Sequence, residues 1–130
     1  MTGRPRPLPD HVARGLRILF VGINPSLTSG VVGHHFASKG NPFWRLLHAA
    51  GLTPALLDAS EDADVVALGL GLTNLCPRPT RSADELSRAE LEAGAAALLR
   101  KVAALRPAVL ALVGVTLARL VLPGSGERGP

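Results

Sequence analysis

The chain of 130 residues is the length of one domain; 47% hydrophobic composition supplies a core, and a formal charge of +4 leans toward a polyanionic partner. A single cysteine, Cys76, excludes an internal disulfide, a four-cysteine iron–sulfur cluster and a Cys-rich zinc site, and the four His match no common zinc spacing, so neither metal nor cofactor is expected. No run of about 20 apolar residues and no apolar signal-peptide core occurs, which gives the expectation of a reduced, cytoplasmic protein with no membrane partner.

Residues 1–15 are rich in Pro and Arg and read as a flexible arm. Residues 16–122 hold the regular elements, and 123–130 (Pro-Gly-Ser-Gly-Glu-Arg-Gly-Pro) read as a loop tail. A buried strand is predicted from Arg17 to Ile23, followed by a long loop from Asn24 to Gly40. Asn41 reads as an N-cap with Pro42 at the first helical position. Phe43, Leu46, Leu47 and Ala50 then form the stripe of a core-facing helix, and Gly51 ends it. Thr53-Pro54 opens a short helix, and Asp64 to Leu70 reads as a second strand. Ser87-Arg88-Ala89-Glu90 is a capping box. The helix it starts presents Leu91, Ala95, Leu98, Leu99, Val102 and Leu105 on one face until Pro107 stops it. Ala108 to Val113 is a third strand and Gly114 to Leu120 a short helix. Strands alternating with helices predict an α/β fold, a parallel sheet with helices on both faces.

The segment Gly22-Ile23-Asn24-Pro25-Ser26 follows the first strand. It therefore lies at the C-terminal end of a parallel strand, where open α/β sheets build binding sites. Two of the three Phe and the only Trp lie between Phe36 and Trp44, a concentration that suggests a site. Asn24 cannot act as a general base, but its amide can hold and orient a water; an Asx-turn before Pro25 is the plainer alternative. Phe43 and Trp44 follow the helix pattern and read as core. His34 and His35 read either as phosphate contacts or as exposed loop residues. Asn41 is a cap that can also wall a site. Arg78 and Arg81 flank a Pro-Thr turn, and either phosphate binding or a solvated role fits them. Cys76 reads as inert. No phosphate-binding Gly-x-x-x-x-Gly-Lys-Ser/Thr segment and no strand-linked Gly-x-Gly-x-x-Gly occurs, which argues against a nucleotide-binding domain.

Gly22-Ile23-Asn24-Pro25-Ser26-Leu27, Gly33-His34-His35-Phe36-Ala37 and Asn41-Pro42-Phe43-Trp44 together resemble the mismatch-specific uracil-DNA glycosylase and thymine-DNA glycosylase family. That family carries Gly-Ile-Asn-Pro-Gly-Leu, an aromatic in a Gly-x-x-aromatic segment, and Asn-x-Phe-Trp. Gly71-Leu72-Thr73-Asn74-Leu75-Cys76-Pro77-Arg78-Pro79-Thr80 is similar to its Gly-x-Thr…Arg-Pro-Thr segment. The likeness extends over about Arg17 to Arg119.

The resemblance implies a three-layer α/β/α glycosylase fold and excision of uracil, or a related base, opposite guanine in DNA. It makes Asn24 the catalytic residue, holding the water, and Phe36 the floor under an extruded base. Gly22, Ile23, Pro25, Ser26, Ser29 and Asn41 become base-binding. His34, His35, Asn74 and Arg78 become DNA contacts. The implied partner is double-stranded DNA with a G·U or G·T mismatch, or single-stranded DNA, bound by a monomer. Ser26 stands where the family has Gly, which raises the question of a positive φ there. Family members continue past this point with further strand and helix and a second Asn-Pro-Ser-Gly motif whose loop wedges into the duplex. Val121 to Arg128 echoes that motif in shortened form, with Glu127 where an apolar wedge is wanted. This gives the expectation of a C-terminally truncated chain, with a relative that only binds nucleic acid as the alternative.

Overall fold

The computed structural model describes residues 3–114 and 117–119. Three parallel strands form one sheet in the order β2-β1-β3: β1 is Ile18–Gly22, β2 is Leu70–Asn74 and β3 is Val109–Leu112. Three α-helices follow in chain order, α1 Leu27–Val32, α2 Phe43–Ala49 and α3 Arg88–Leu105, with 3-10 segments at Ala59–Leu68 and Ala83–Glu85.

The chain goes from β1 out to β2, then back past β1 to β3. Crossovers of one hand that run in opposite directions place their helices on opposite faces. The core is split accordingly. Leu19 and Val21 of β1 pack with Leu98 of α3 on one face, together with Leu75, Cys76 and Leu86. Ile18 and Phe20, the alternate residues, pack with Phe43, Trp44 and Leu47 of α2 and with Val65 on the other. The period of two along β1 thus supplies both inner faces of a three-layer α/β/α domain.

The helix ends are set by side chains. Ser87 accepts from Glu90 N while the Glu90 carboxylate accepts from Ser87 N, so the capping box read in the sequence is formed. α3 stops at Leu105 with Arg106 in the left-handed conformation, ahead of Pro107. For α2 the amide of Phe43 donates to Asn41 Oδ1, so Asn41 caps the helix as its sequence position suggests.

Several sequence expectations shift. The stretch Asn24 to Gly40 is no continuous loop: α1 forms within it because Ser26 Oγ caps Ser29 N and Gly33, at φ 82, closes the end. Leu-Thr-Ser-Gly-Val-Val carries no apolar stripe, so periodicity misses it. No helix starts at Thr53-Pro54. The second strand lies later than Asp64 to Leu70. Asp58 and Glu61 form a capping box that winds residues Ala59–Leu68 as 3-10 helix, and Gly69 at φ 82 ends it before β2 begins. On α2, Phe43, Trp44 and Leu47 are buried as read, but Leu46 and Ala50 of the expected stripe are exposed; on α3, Leu99 is exposed.

The segment before β1, read as a flexible arm, is bonded to the domain. His11 N donates to Leu72 O and Leu72 N to His11 O, an antiparallel bridge along the outer edge of β2. Asp10 pairs with Lys101 Nζ at 2.6 Å and accepts from Thr73 Oγ1. These contacts close an edge that would otherwise present unpaired backbone groups. The strand expected at Ala108 to Val113 is β3. The short helix expected at Gly114 to Leu120 is seen as a helical turn at residues 117–119, where Leu117 is buried. Residues 120–130, with the Val121 to Arg128 echo and the loop tail, lie outside the described residues.

Candidate active site

The strand order reverses at β1, so its C-terminal end, beside that of β3, is the switch point where such sheets bind ligands. A cavity of about 220 Å³ lies there. Its walls include the turn Gly22 to Ser26 after β1, Asn74 at the end of β2 and Val113 after β3. Ser29, His35, Phe36 and Asn41 line it too, and Leu8 reaches it from the N-terminal segment. A void of ~150 Å³ holds benzene, so the cavity admits a single six-membered base ring.

The turn is held by the segment after β2. Leu75 N, Cys76 N and Thr80 N donate in turn to the carbonyls of Gly22, Ile23 and Pro25. The Asn24 side chain is fixed against the same segment. Its Nδ2 donates to Arg78 O at 2.8 Å and to Thr80 Oγ1 at 2.7 Å, with a longer approach to Pro25 O at 3.2 Å. Thr80 Oγ1 spends its own proton on Ser82 O, so it can only accept from Asn24. Two acceptors therefore fix which end of the amide is nitrogen. Oδ1 has no hydrogen-bond donor among the described residues and stays free to accept one.

Ser26 has φ −70 and ψ 164, extended backbone that a Cβ tolerates, and the question of a positive φ is answered by its role as the cap of α1. Its Oγ also lies 2.7 Å from Ser38 Oγ. Ser29 is buried, and its Oγ accepts from Ala37 N, which pins the residue after Phe36. Phe36 takes φ 53, a left-handed conformation that strains a bulky residue by roughly 1–3 kcal/mol. Its ring stacks on Phe43, with centroids 3.9 Å apart and planes 18° apart. Gly22 faces Asn74 across the ladder. A Cβ on Gly22 would lie 2.8 Å from Asn74 Oδ1 and 3.6 Å from Phe36 Cζ, so glycine there is what lets the Asn74 amide into the cavity wall.

His35 is not the exposed loop residue or phosphate contact expected, and His34 is half-buried. His35 is buried: its N–H donates to Asp62 Oδ2 at 2.7 Å and its Nε2 to Pro9 O at 2.9 Å. Burial pushes its pKa below the ordinary imidazole range, more than the Pro9 carbonyl and the Asp62 carboxylate raise it, so the ring is neutral. His34 Nδ1 lies 3.1 Å from Asp62 Oδ1. Part of the Arg78 guanidinium is likewise committed within the protein. Nε and Nη2 donate to the two oxygens of Glu90 at 2.8 and 2.9 Å, and Nη2 donates to Glu85 O. The hydrogen bond from Arg78, then that from Ser87 N–H, lowers the Glu90 pKa to about 2. Cys76 is buried and its thiol is pushed up, first by burial and then by Glu90.

Among the described residues, His11, His35 and Asp62 are the group able to approach a metal ion, with donor atoms within 4.8 Å of one another. Hydrogen bonds already occupy both Asp62 oxygens and His35 Nε2. The buried His11 Nε2 alone lacks a partner, lying 3.3 Å from Asp62 Oδ2 without hydrogen-bond alignment. The group thus ties the N-terminal segment to the loop carrying Phe36. Sequence reasoning missed Asp62, Thr80, Leu8 and Val113. Thr80 carried a signal, since it closes the Arg-Pro-Thr segment; Asp62 carried none, being 27 residues from His35.

The fold and cavity define a parallel α/β domain with a cavity able to admit a six-membered ring, lined by Asn24, whose amide nitrogen is hydrogen-bonded to the protein. The chain belongs to the Uracil DNA glycosylase superfamily, whose family model matches residues 9–129. It is on that ground a DNA-binding hydrolase of the base-excision repair glycosylase type.

Proposed function

We propose that this chain releases uracil mispaired with guanine in DNA by hydrolysing its N-glycosidic bond, after the nucleotide is flipped out of the duplex. The observation that carries this reading is the fixed Asn24 amide. With Nδ2 held by Arg78 O and Thr80 Oγ1, Oδ1 is the group that orients a water in the cavity. An amide does not remove the water's proton at neutral pH, so the step must be dissociative. The C1′–N1 bond breaks with its electron pair passing to N1, the sugar becomes oxocarbenium-like, water then adds at C1′ and loses a proton to solvent, and the uracil anion takes one up. The products are free uracil and an abasic deoxyribose. Amide N–H groups of the Gly22 to Ser26 turn are the donors this reading assigns to the departing anion.

Phe36, backed by Phe43, offers an aromatic surface that replaces stacking lost on flipping. The Asn74 amide is the wall group able to read the base edge. Flipping costs a few kcal/mol, least for a mispaired or unpaired base. A G·U mismatch or single-stranded DNA is therefore the substrate proposed, in preference to a paired uracil, with the chain acting as a monomer.

The test is release of free uracil from G·U duplex, G·T duplex and single-stranded DNA, for the chain and for Asn24→Ala, each checked for folding by circular dichroism. We expect release from G·U that falls at least ~100-fold in Asn24→Ala. Absence of release by a folded chain that still retains abasic DNA would replace this reading with binding alone.

A further inference from the structure

The two acceptors that hold Asn24 both lie on the segment between β2 and the 3-10 turn Ala83–Glu85. Backbone hydrogen bonds to the turn after β1 hold this segment at Leu75, Cys76 and Thr80, but none of them reaches Arg78, whose carbonyl accepts from Asn24. At Arg78 the segment is held by a paired charge. The Arg78 guanidinium forms two parallel hydrogen bonds with Glu90 and a third with the Glu85 carbonyl. Glu90 is itself held: it sits in the first turn of α3, its N–H bonded to Ser87 Oγ and its carboxylate to Ser87 N. α3 is anchored in turn by Leu98 in the core, and Cys76 Sγ reaches Glu90 O at 3.4 Å.

We propose that Glu90 is a positioning residue for the glycosidic hydrolysis. Through Arg78 it fixes the carbonyl that orients the Asn24 amide, and it does not itself line the cavity. A bidentate Arg–carboxylate pair is suited to this because it sets direction as well as distance. The same residue joins the capping box of α3 to the catalytic turn after β1, so the start of a helix remote from the cavity governs the aim of Asn24 Oδ1. This inference rests on the hydrolytic reading above, and its test separates the two.

Five forms are compared: the native chain, Glu90→Ala, Asn24→Ala, the double variant and, as the conservative change, Glu90→Gln. Single-turnover release from a G·U duplex at saturating protein reads the chemical step. Affinity for a duplex with a non-hydrolysable 2′-fluorinated uridine reads binding. We expect Glu90→Ala to slow release about 10- to 100-fold, the effect of misplacing a reacting group by about 1 Å, with binding changed less than about threefold. Glu90→Gln, which keeps one acceptor for Arg78, falls between. In the Asn24→Ala background, removing Glu90 has no further effect, because its route to the chemistry is gone. A merely structural Glu90 gives instead the same loss in both backgrounds, or weakens binding in step with rate, and either result overturns the proposal. The ¹⁵N-labelled side-chain amide of Asn24 supplies a readout independent of turnover. Its Nδ2 protons exchange slowly in the native chain and faster in Glu90→Ala. If no form releases a base, the hydrolytic reading fails, and an unchanged Asn24 amide in Glu90→Ala overturns the positioning role separately.

Discussion

At the scale of single residues, what distinguishes this site is how little of its polar chemistry is left unassigned. Asn24 is the clearest instance. Its two N–H groups are matched to a carbonyl and to a hydroxyl whose own proton is committed elsewhere. Thr80 is therefore the residue at which orientation can be altered with little change of volume. In Thr80→Val, at a buried position, one Asn24 donor loses its partner, while the Ser82 carbonyl lies on an exposed residue and turns to water. An unmatched group costs about 1–3 kcal/mol. We expect urea denaturation to show a loss in that range, and kcat for uracil release to fall about 10- to 100-fold with KM little changed. Thr80→Ser keeps the oxygen and should retain most of both. A Thr80→Val chain with native kcat would mean that the amide is held by Arg78 O alone.

At the scale of elements, backbone approaches matter as much as side chains. α3 crosses the end of β2 so closely that a Cβ on Gly94 would lie 2.5 Å from Leu75 O and 3.0 Å from Leu75 C. Helix propensity favours alanine over glycine by about 1 kcal/mol. The contact opposes it, and the atoms it meets are backbone, which cannot rotate away. Overpacking of this kind costs about 1–3 kcal/mol, so Gly94→Ala should be destabilising on balance. A thermal melt should show Tm lowered by several degrees; a rise in Tm would mean that α3 can slide off the strand. The same geometry explains which elements could be read in the sequence. β1, α3 and β3 were legible, because apolar runs and a capping box are local signals. α2 is legible in place and in Phe43, Trp44 and Leu47 as its core, but Leu46 and Ala50 of the same stripe are exposed, a rotation that periodicity alone does not resolve. α1 and the 3-10 segment Ala59–Leu68 were hidden. Their ends are set by caps at Ser26 and Asp58 and by left-handed glycines, while Val65-Val66 within the second reads as strand.

At the scale of the whole molecule, the site is assembled from stretches far apart in sequence, and this limits what the sequence could disclose. The turn at Asn24, the Phe36 loop and Asn74 were legible through their motifs. The fate of His35, His34 and Arg78 was not, because each is captured by a distant partner, Pro9, Asp62 or Glu90. The N-terminal segment is the largest such case. Composition suggests a flexible arm, yet Leu8 lines the cavity and Asp10 joins Lys101 and Thr73 in a small network joining α3 and β2. Its charges are less than one-third exposed, so the pair is screened less than a surface ion pair, whose usual worth is about 0.2–1 kcal/mol. A double-mutant cycle on Asp10→Asn and Lys101→Met should give a coupling of about 1 kcal/mol, and hydrogen exchange at His11 and Leu72 should quicken in either variant as the bridge along β2 loosens. If the segment is part of the site, the same variants should also weaken binding of the non-hydrolysable G·U duplex, since Leu8 is carried away with Asp10. Faster exchange at His11 with unchanged duplex affinity would instead confine the segment to covering the sheet edge.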